Sequence, residues 1–144
     1  METVLKSSLS AAERSLVQMA EDAIDRAHAP VTGVQVGAAV LTAGGAYGGC
    51  NVESVVSGLG ICAERNAVNH AVLHDGPVVS IVALSVAWKK LESIRPCGAC
   101  LQYLTEFAHP EVTILMAAPK ELTVVVGRLT DLLPYRYELP PGGR

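Results

Sequence analysis

The stretch Val34-Gln35-Val36-Gly37-Ala38-Ala39-Val40-Leu41-Thr42 is apolar at almost every position, and its reading sets the architecture. A strand with one wet face alternates apolar and polar residues. An unbroken apolar run belongs instead to a strand covered on both faces. Upstream, Ser10 and Glu13 have the spacing of a capping box. Leu16, Ala20, Ala23, Ile24 and Ala27 follow as one stripe at helical spacing, so a helix is predicted over about 10–29, stopped by Pro30. Downstream, Gly44-Gly45 turns the chain into a second strand over 46–53, forming a hairpin. Residues 54–60 read as a loop, 62–73 as a helix and 78–86 as a buried strand. Pro96 opens a further helix over 97–108. Strands follow over 112–117 and 122–126, and Thr130 can cap a last helical turn before Pro134. After the hairpin the order helix, strand, helix, strand predicts an α/β fold with parallel pairing and helices covering the sheet.

The 144 residues suit a single domain over 1–144, with about 138–144 as a loose tail. Half the chain is hydrophobic and only 17% is charged, which excludes a disordered protein. A net charge of −3 offers no broad basic surface, so a polynucleotide partner is not expected. Aromatic residues make up 4%, leaving the packing to Ala, Val, Leu and Ile. The first ten residues lack the apolar core of a signal peptide. The longest apolar region, 77–88, is short of the ~20 residues that span a membrane, so no membrane partner is expected. A chain this hydrophobic needs no disulfide staples, and the Cys97–Cys100 spacing points to metal or redox chemistry in a reducing compartment; the cytoplasm is the expected location.

Three of the four cysteines fall at predicted helix starts: Cys62 on one helix, Cys97 and Cys100 on the other. Free amides and a partial positive charge at helix N-termini favour the thiolate that binds zinc. A two-residue gap lets one helical turn offer two sulfurs to one ion. Three thiolates leave a fourth tetrahedral position for water, as a catalytic zinc site requires. Against this stands a closed site in which Cys50 is a fourth, purely structural ligand. Glu64, two residues after Cys62, favours the open site. A carboxylate there can take a proton from water and pass it on, and a structural site has no use for one. Cys-x-Glu followed by Pro-Cys-x-x-Cys is the signature of zinc-dependent base deaminases.

These blocks carry a family resemblance. The chain is similar to the small, homotetrameric cytidine deaminases over nearly its whole length. The matching blocks are Ala29-Pro30, Val36-Gly37-Ala38-Ala39, Gly49-Cys50-Asn51-Val52-Glu53, Cys62-Ala63-Glu64-Arg65, Pro96-Cys97-Gly98-Ala99-Cys100 and Leu132-Leu133-Pro134. The resemblance implies a three-layer α/β/α fold with a five-stranded mixed sheet. It implies zinc on Cys62, Cys97 and Cys100, Glu64 as proton shuttle, and Cys50 as a buried structural thiol. Arg65 matches an arginine that hydrogen-bonds the ligand sulfurs, set against a plain surface arginine. Asn51 and Glu53, two apart and so on one strand face, match a pair that reads the ribose hydroxyls, set against solvated strand ends. The backbone of Ala63 is expected to face the base. Tyr137 stands where the family has a phenylalanine that reaches a neighbouring subunit's pocket, set against a packing tyrosine.

The implied activity is hydrolytic deamination of cytidine, deoxycytidine or a modified cytosine nucleoside, a step in pyrimidine salvage. Three rivals share some of these features. One is an enzyme for a cytosine antibiotic of the blasticidin S kind, another a polynucleotide editor, and the third a non-catalytic zinc scaffold. The chain also departs from the family. Its Tyr-Ser-x-Phe-x-Val-Gly-Ala-Ala pattern reads here Val31 to Ala39, with Val34 in place of the phenylalanine that packs on the pyrimidine. Ser57 replaces a tyrosine carried by many members, and Leu101 replaces a common arginine. His28, His70, His74 and His109 lie outside the motifs and read as surface or satisfied core positions. Lys89, Lys90 and Arg95 read most simply as a solvated loop, set against a role at the pocket rim because the loop runs into Pro96.

Overall fold

Gly37 and Gly49 explain how helices come to lie against both sides of this sheet. A Cβ on Gly37 would overlap the carbonyl oxygen of Ala20 in the first helix. A Cβ on Gly49 would overlap the backbone of Ala63 and Ala67 in the second. Both helices thus pack backbone-close, as a core poor in aromatics requires. Alanine at either site would force a helix off the sheet, and overpacking of this kind costs about 1–3 kcal/mol. At Gly49 the displaced helix carries Glu64.

The structure, a computed structural model, describes residues 1–76, 81–88 and 94–140. In chain order the elements are β1 (Glu2–Leu5), α1 (Ala11–Ala23), β2 (Val36–Thr42), β3 (Ala46–Cys50), α2 (Ala63–Asp75), β4 (Ile81–Trp88), α3 (Gly98–Leu104), β5 (Ala108–Ala117), β6 (Thr123–Arg128) and α4 (Leu129–Leu132). The sheet runs β1-β6-β5-β4-β2-β3. Only β4 and β5 are parallel, joined across α3; the other neighbours are antiparallel. The sheet is therefore mixed, and parallel pairing is narrower than the alternation of elements suggests.

Alternate residues of the strands feed two cores. Leu16, Val17 and Ala20 of α1 pack on Ala39, Ala87 and Leu115. Ala67, Val68, Leu101 and Leu104 of α2 and α3 pack on Ala38, Val86, Ile114 and Met116. The result is the three-layer α/β/α arrangement. The sheet has six strands, not five, because β1 pairs antiparallel with β6. Four residues at an edge are too short for their alternation to register in the sequence.

Other differences have local causes. The capping box of Ser10 and Glu13 forms as expected, but α1 ends at Ala23 and tightens into a 3₁₀ turn over Ile24–Arg26. The chain must leave the helix there so that His28 can pair with the segment after β3. Its N–H donates to the carbonyl of Asn51, and its own carbonyl accepts from Glu53 N–H. β5 begins at Ala108, before Pro110, because the register with β4 slips between Ile81 and Ala83 and no ladder donor is needed from the proline. Residue Asp131, not Thr130, supports the start of α4 by accepting the Arg128 N–H at 3.0 Å. Gln102 pins the chain near its C-terminal end: its amide exchanges bonds of 2.8 and 3.0 Å with the backbone of Tyr137. The readings of residues 78–80, of Lys89 and Lys90, and of 141–144 lie outside the described residues. No helix among the described residues is long and apolar enough to cross a membrane.

Candidate active site

Two helix starts meet above one face of the sheet. Cys62 occupies the N-cap position of α2 and Cys97 that of α3, with Cys100 one turn further on. The three Sγ atoms lie within 4.8 Å of one another, and those of Cys97 and Cys100 are 3.4 Å apart. Tetrahedral zinc with Zn–S bonds of ~2.3 Å separates its sulfurs by about 3.8 Å, so the donor set fits that ion. Among the described residues this is the only group of three or more side chains able to hold a metal. Cys50 is not part of it: the residue is half-buried at the end of β3, where its carbonyl accepts Asn66 Nδ2 at 2.8 Å.

Glu64, in the first turn of α2, is 7% exposed. Burial pushes its carboxyl up to about 6, and the charge of nearby Cys62 works in the same direction. A carboxyl tuned toward neutrality is suited to accept and return protons. Cys62 is pulled the other way, down to about 5, chiefly by its hydrogen bond with Cys100 and further by Arg65. The guanidinium of Arg65 lies 3.9 Å from Cys62 Sγ and 3.5 Å from the Gly60 carbonyl. Its part-buried position against a sulfur is not that of a surface arginine.

A cavity of about 340 Å³ opens over this group, within the size range of small-molecule sites. Val34, Asn51, Glu53, Cys62, Ala63, Glu64 and Cys97 line it. Asn51 and Glu53 also do work that the sequence did not disclose. Asn51 accepts from Val36 N–H and donates to the Val34 carbonyl, both at 2.8 Å. Glu53 accepts the amides of Val31 and Thr32 at 2.8 and 3.1 Å and the Thr32 hydroxyl. The two side chains thereby hold segment 31–36 as a pocket wall. Thr32, Val36, Ile94 and Arg95 complete the lining. Thr32 was beyond sequence reasoning because its partner Glu53 is 21 residues away. Tyr137 does not line this chain's own cavity, and its residue is 68% exposed.

An α/β/α sheet presenting three clustered thiols and a buried carboxyl at helix starts defines a metal-dependent hydrolase of the nucleobase-deaminase class. The match to known proteins is specific. Residues 10–116 match the model of the cytidine and deoxycytidylate deaminase zinc-binding region. A cytidine deaminase of Sporosarcina psychrophila is 36% identical over 102 residues, covering 70% of this chain and 74% of the relative. The cytidine deaminase of Mycobacterium tuberculosis strain H37Rv is 36% identical over 78% of this chain and 80% of its own. The crystal structure of the Burkholderia pseudomallei cytidine deaminase superposes with a TM-score of 0.79 at 33% identity, covering 90% of this chain and all of that one. The chain belongs to the cytidine deaminase family.

Proposed function

We propose that this protein is a zinc-dependent hydrolase that converts cytidine and deoxycytidine to the uracil nucleoside and ammonia. The observation that carries the reading is the buried carboxyl of Glu64 beside three clustered thiols on a pocket floor. Cys62, Cys97 and Cys100 hold the ion, which when bound supplies a Lewis acid and water acidified toward a pKa of ~7. Glu64 takes a proton from the attacking water and delivers it to ring N3, which makes C4 electrophilic. The water oxygen bonds to C4, and Glu64 then moves the remaining hydroxyl proton to the amino group, which leaves as ammonia as the C4–N bond breaks. Arg65 offsets the negative charge of the thiolates. The Ala63 backbone faces the base, and Asn51 and Glu53 read the ribose hydroxyls through the hydrogen-bonding capacity that segment 31–36 leaves free. The cytoplasm, where free nucleosides are salvaged, is the proposed location.

Val34 shapes substrate choice. It lines the cavity where a stacking ring is missing, and base–aromatic stacking is worth ~1–3 kcal/mol. The wild type is therefore expected to deaminate cytidine with a raised KM and to accept bulkier cytosine nucleosides. Val34→Phe should lower KM for cytidine by roughly fivefold or more and worsen turnover of bulky analogues. Steady-state ammonia release from cytidine, deoxycytidine, cytosine and blasticidin S tests the whole reading. Turnover of blasticidin S alone overturns it, and a Val34→Phe variant that only loses activity overturns the role of Val34.

The working unit is proposed to be a homotetramer. Tyr137 is exposed, and Gln102 fixes its backbone outside the chain's own cavity. That placement suits a ring offered to a neighbour's pocket. Sedimentation is expected to give a tetramer, with Tyr137→Ala raising KM; a fully active monomer contradicts this.

A further inference from the structure

Two histidines stand on the exposed side of α2, the helix that carries Glu64, and the proposed reaction uses neither. His70 and His74 are four residues apart, so they lie on one face of the helix on successive turns. Their ring centroids are 4.8 Å apart. Two imidazoles bound to one ion through nitrogens at ~2.1 Å, at square to tetrahedral angles, have centroids about 4.5–5.2 Å apart. The pair already has the spacing of two ligands on a single cation.

Each ring is also held in place. His70 Nδ1 lies 2.9 Å from the carbonyl oxygen of Gly48 in β3. A carbonyl only accepts, so in the neutral ring Nδ1 carries the proton and Nε2 keeps its lone pair. Metal-ligating histidines are commonly oriented in this way, by giving their other N–H to a carbonyl. His74 stacks on Tyr47, with centroids 5.6 Å apart and planes 20° apart. The Tyr47 hydroxyl donates to Asp75, whose carboxylate adds negative charge beside His74. We propose that His70 and His74 form a second metal site, which takes a borderline divalent cation of the zinc, nickel or copper class and leaves its other positions to water. Two imidazoles hold an ion more weakly than three thiolates. This site therefore fills only after the cysteine site, and turnover still needs one zinc. A bound ion clips two turns of α2 together and stabilises the folded chain.

The probe is nickel(II), added to the zinc-loaded protein and followed by calorimetry and equilibrium dialysis, with zinc content and thermal midpoint measured alongside. Nickel suits an imidazole pair, and nickel on a thiolate would betray itself by an intense charge-transfer band. The wild type is expected to bind one nickel per chain with its zinc retained and no such band. Its midpoint should rise by at least about 4 °C with free nickel at about a hundred times its dissociation constant. His74→Gln and His70→Gln should each weaken binding at least about tenfold and remove the thermal shift. His109→Gln, a histidine outside the pair, should change neither. His74→Gln, exposed and away from the cavity, should keep wild-type turnover of cytidine without nickel, which shows that it is folded. No saturable nickel binding, uptake only in exchange for zinc, or binding that survives both His70→Gln and His74→Gln overturns the proposal. None of these outcomes bears on the deaminase reading, which turns on cytidine turnover.

Discussion

Glu64→Gln is expected to keep its zinc and its fold and to lose turnover of cytidine by about 10⁴-fold. One positioned acid–base group contributes ~10²–10⁴-fold, and the upper end applies because this carboxyl serves several proton transfers in one cycle. The amide has the same shape but cannot take a proton from water or return one to N3. The fold should not suffer, since Glu64 is 7% exposed and a neutral isostere is cheaper to bury than a carboxylate. Zinc content by atomic absorption, thermal midpoint and steady-state turnover, measured on one preparation, separate the effects. Turnover within tenfold of the wild type would mean that another group carries the protons.

The cysteines should divide three against one. Cys97→Ser is expected to drop the metal from about one ion per chain to near zero, and turnover with it. Its Sγ belongs to the cluster that lies within 4.8 Å, and a serine hydroxyl is a far weaker zinc ligand than a thiolate. Cys50→Ser should leave metal content and turnover near those of the wild type, because Cys50 stands outside that cluster at the end of β3. Loss of zinc from Cys50→Ser would restore the closed four-cysteine site, and Glu64 would then need another explanation.

The parts of the fold legible in the sequence were those governed by local rules. The capping box at Ser10, the two-face-buried strand, which forms over Val36–Thr42 rather than from Val34, and the helix starts at Cys62 and Cys97 all express themselves within a few residues. The misses share a different physics. β1 is a strand only because β6 offers it an edge. The last turns expected of the first helix are given up to a bridge between His28 and Val52. The early start of β5 depends on a slipped register against β4. Each is decided by a partner far along the chain, and periodicity carries no record of it.

The site divides in the same way. The thiols and Glu64 announce themselves by spacing, since metal ligation demands it. Asn51 and Glu53 were expected as a pair on one strand face, but β3 ends at Cys50 and both lie just beyond it, and their hold on segment 31–36 was not legible. It depends on backbone amides of Val31, Thr32 and Val36, and no residue type marks those. Gly37 and Gly49 carry a related lesson. As motif letters they mark resemblance; in the structure a helix backbone lies directly against the strand at each of them.

One zinc ion on Cys62, Cys97 and Cys100, served by Glu64, is proposed to carry the deamination of cytidine. The most direct test strips the protein with a chelator, confirms that it remains folded, and titrates zinc back while following uridine formation. Uridine production should be absent at the start, rise linearly with added zinc and saturate at one ion per chain, with one ammonia released for each uridine. Undiminished turnover in the stripped protein, or none in a folded protein carrying its full zinc, would contradict this assignment.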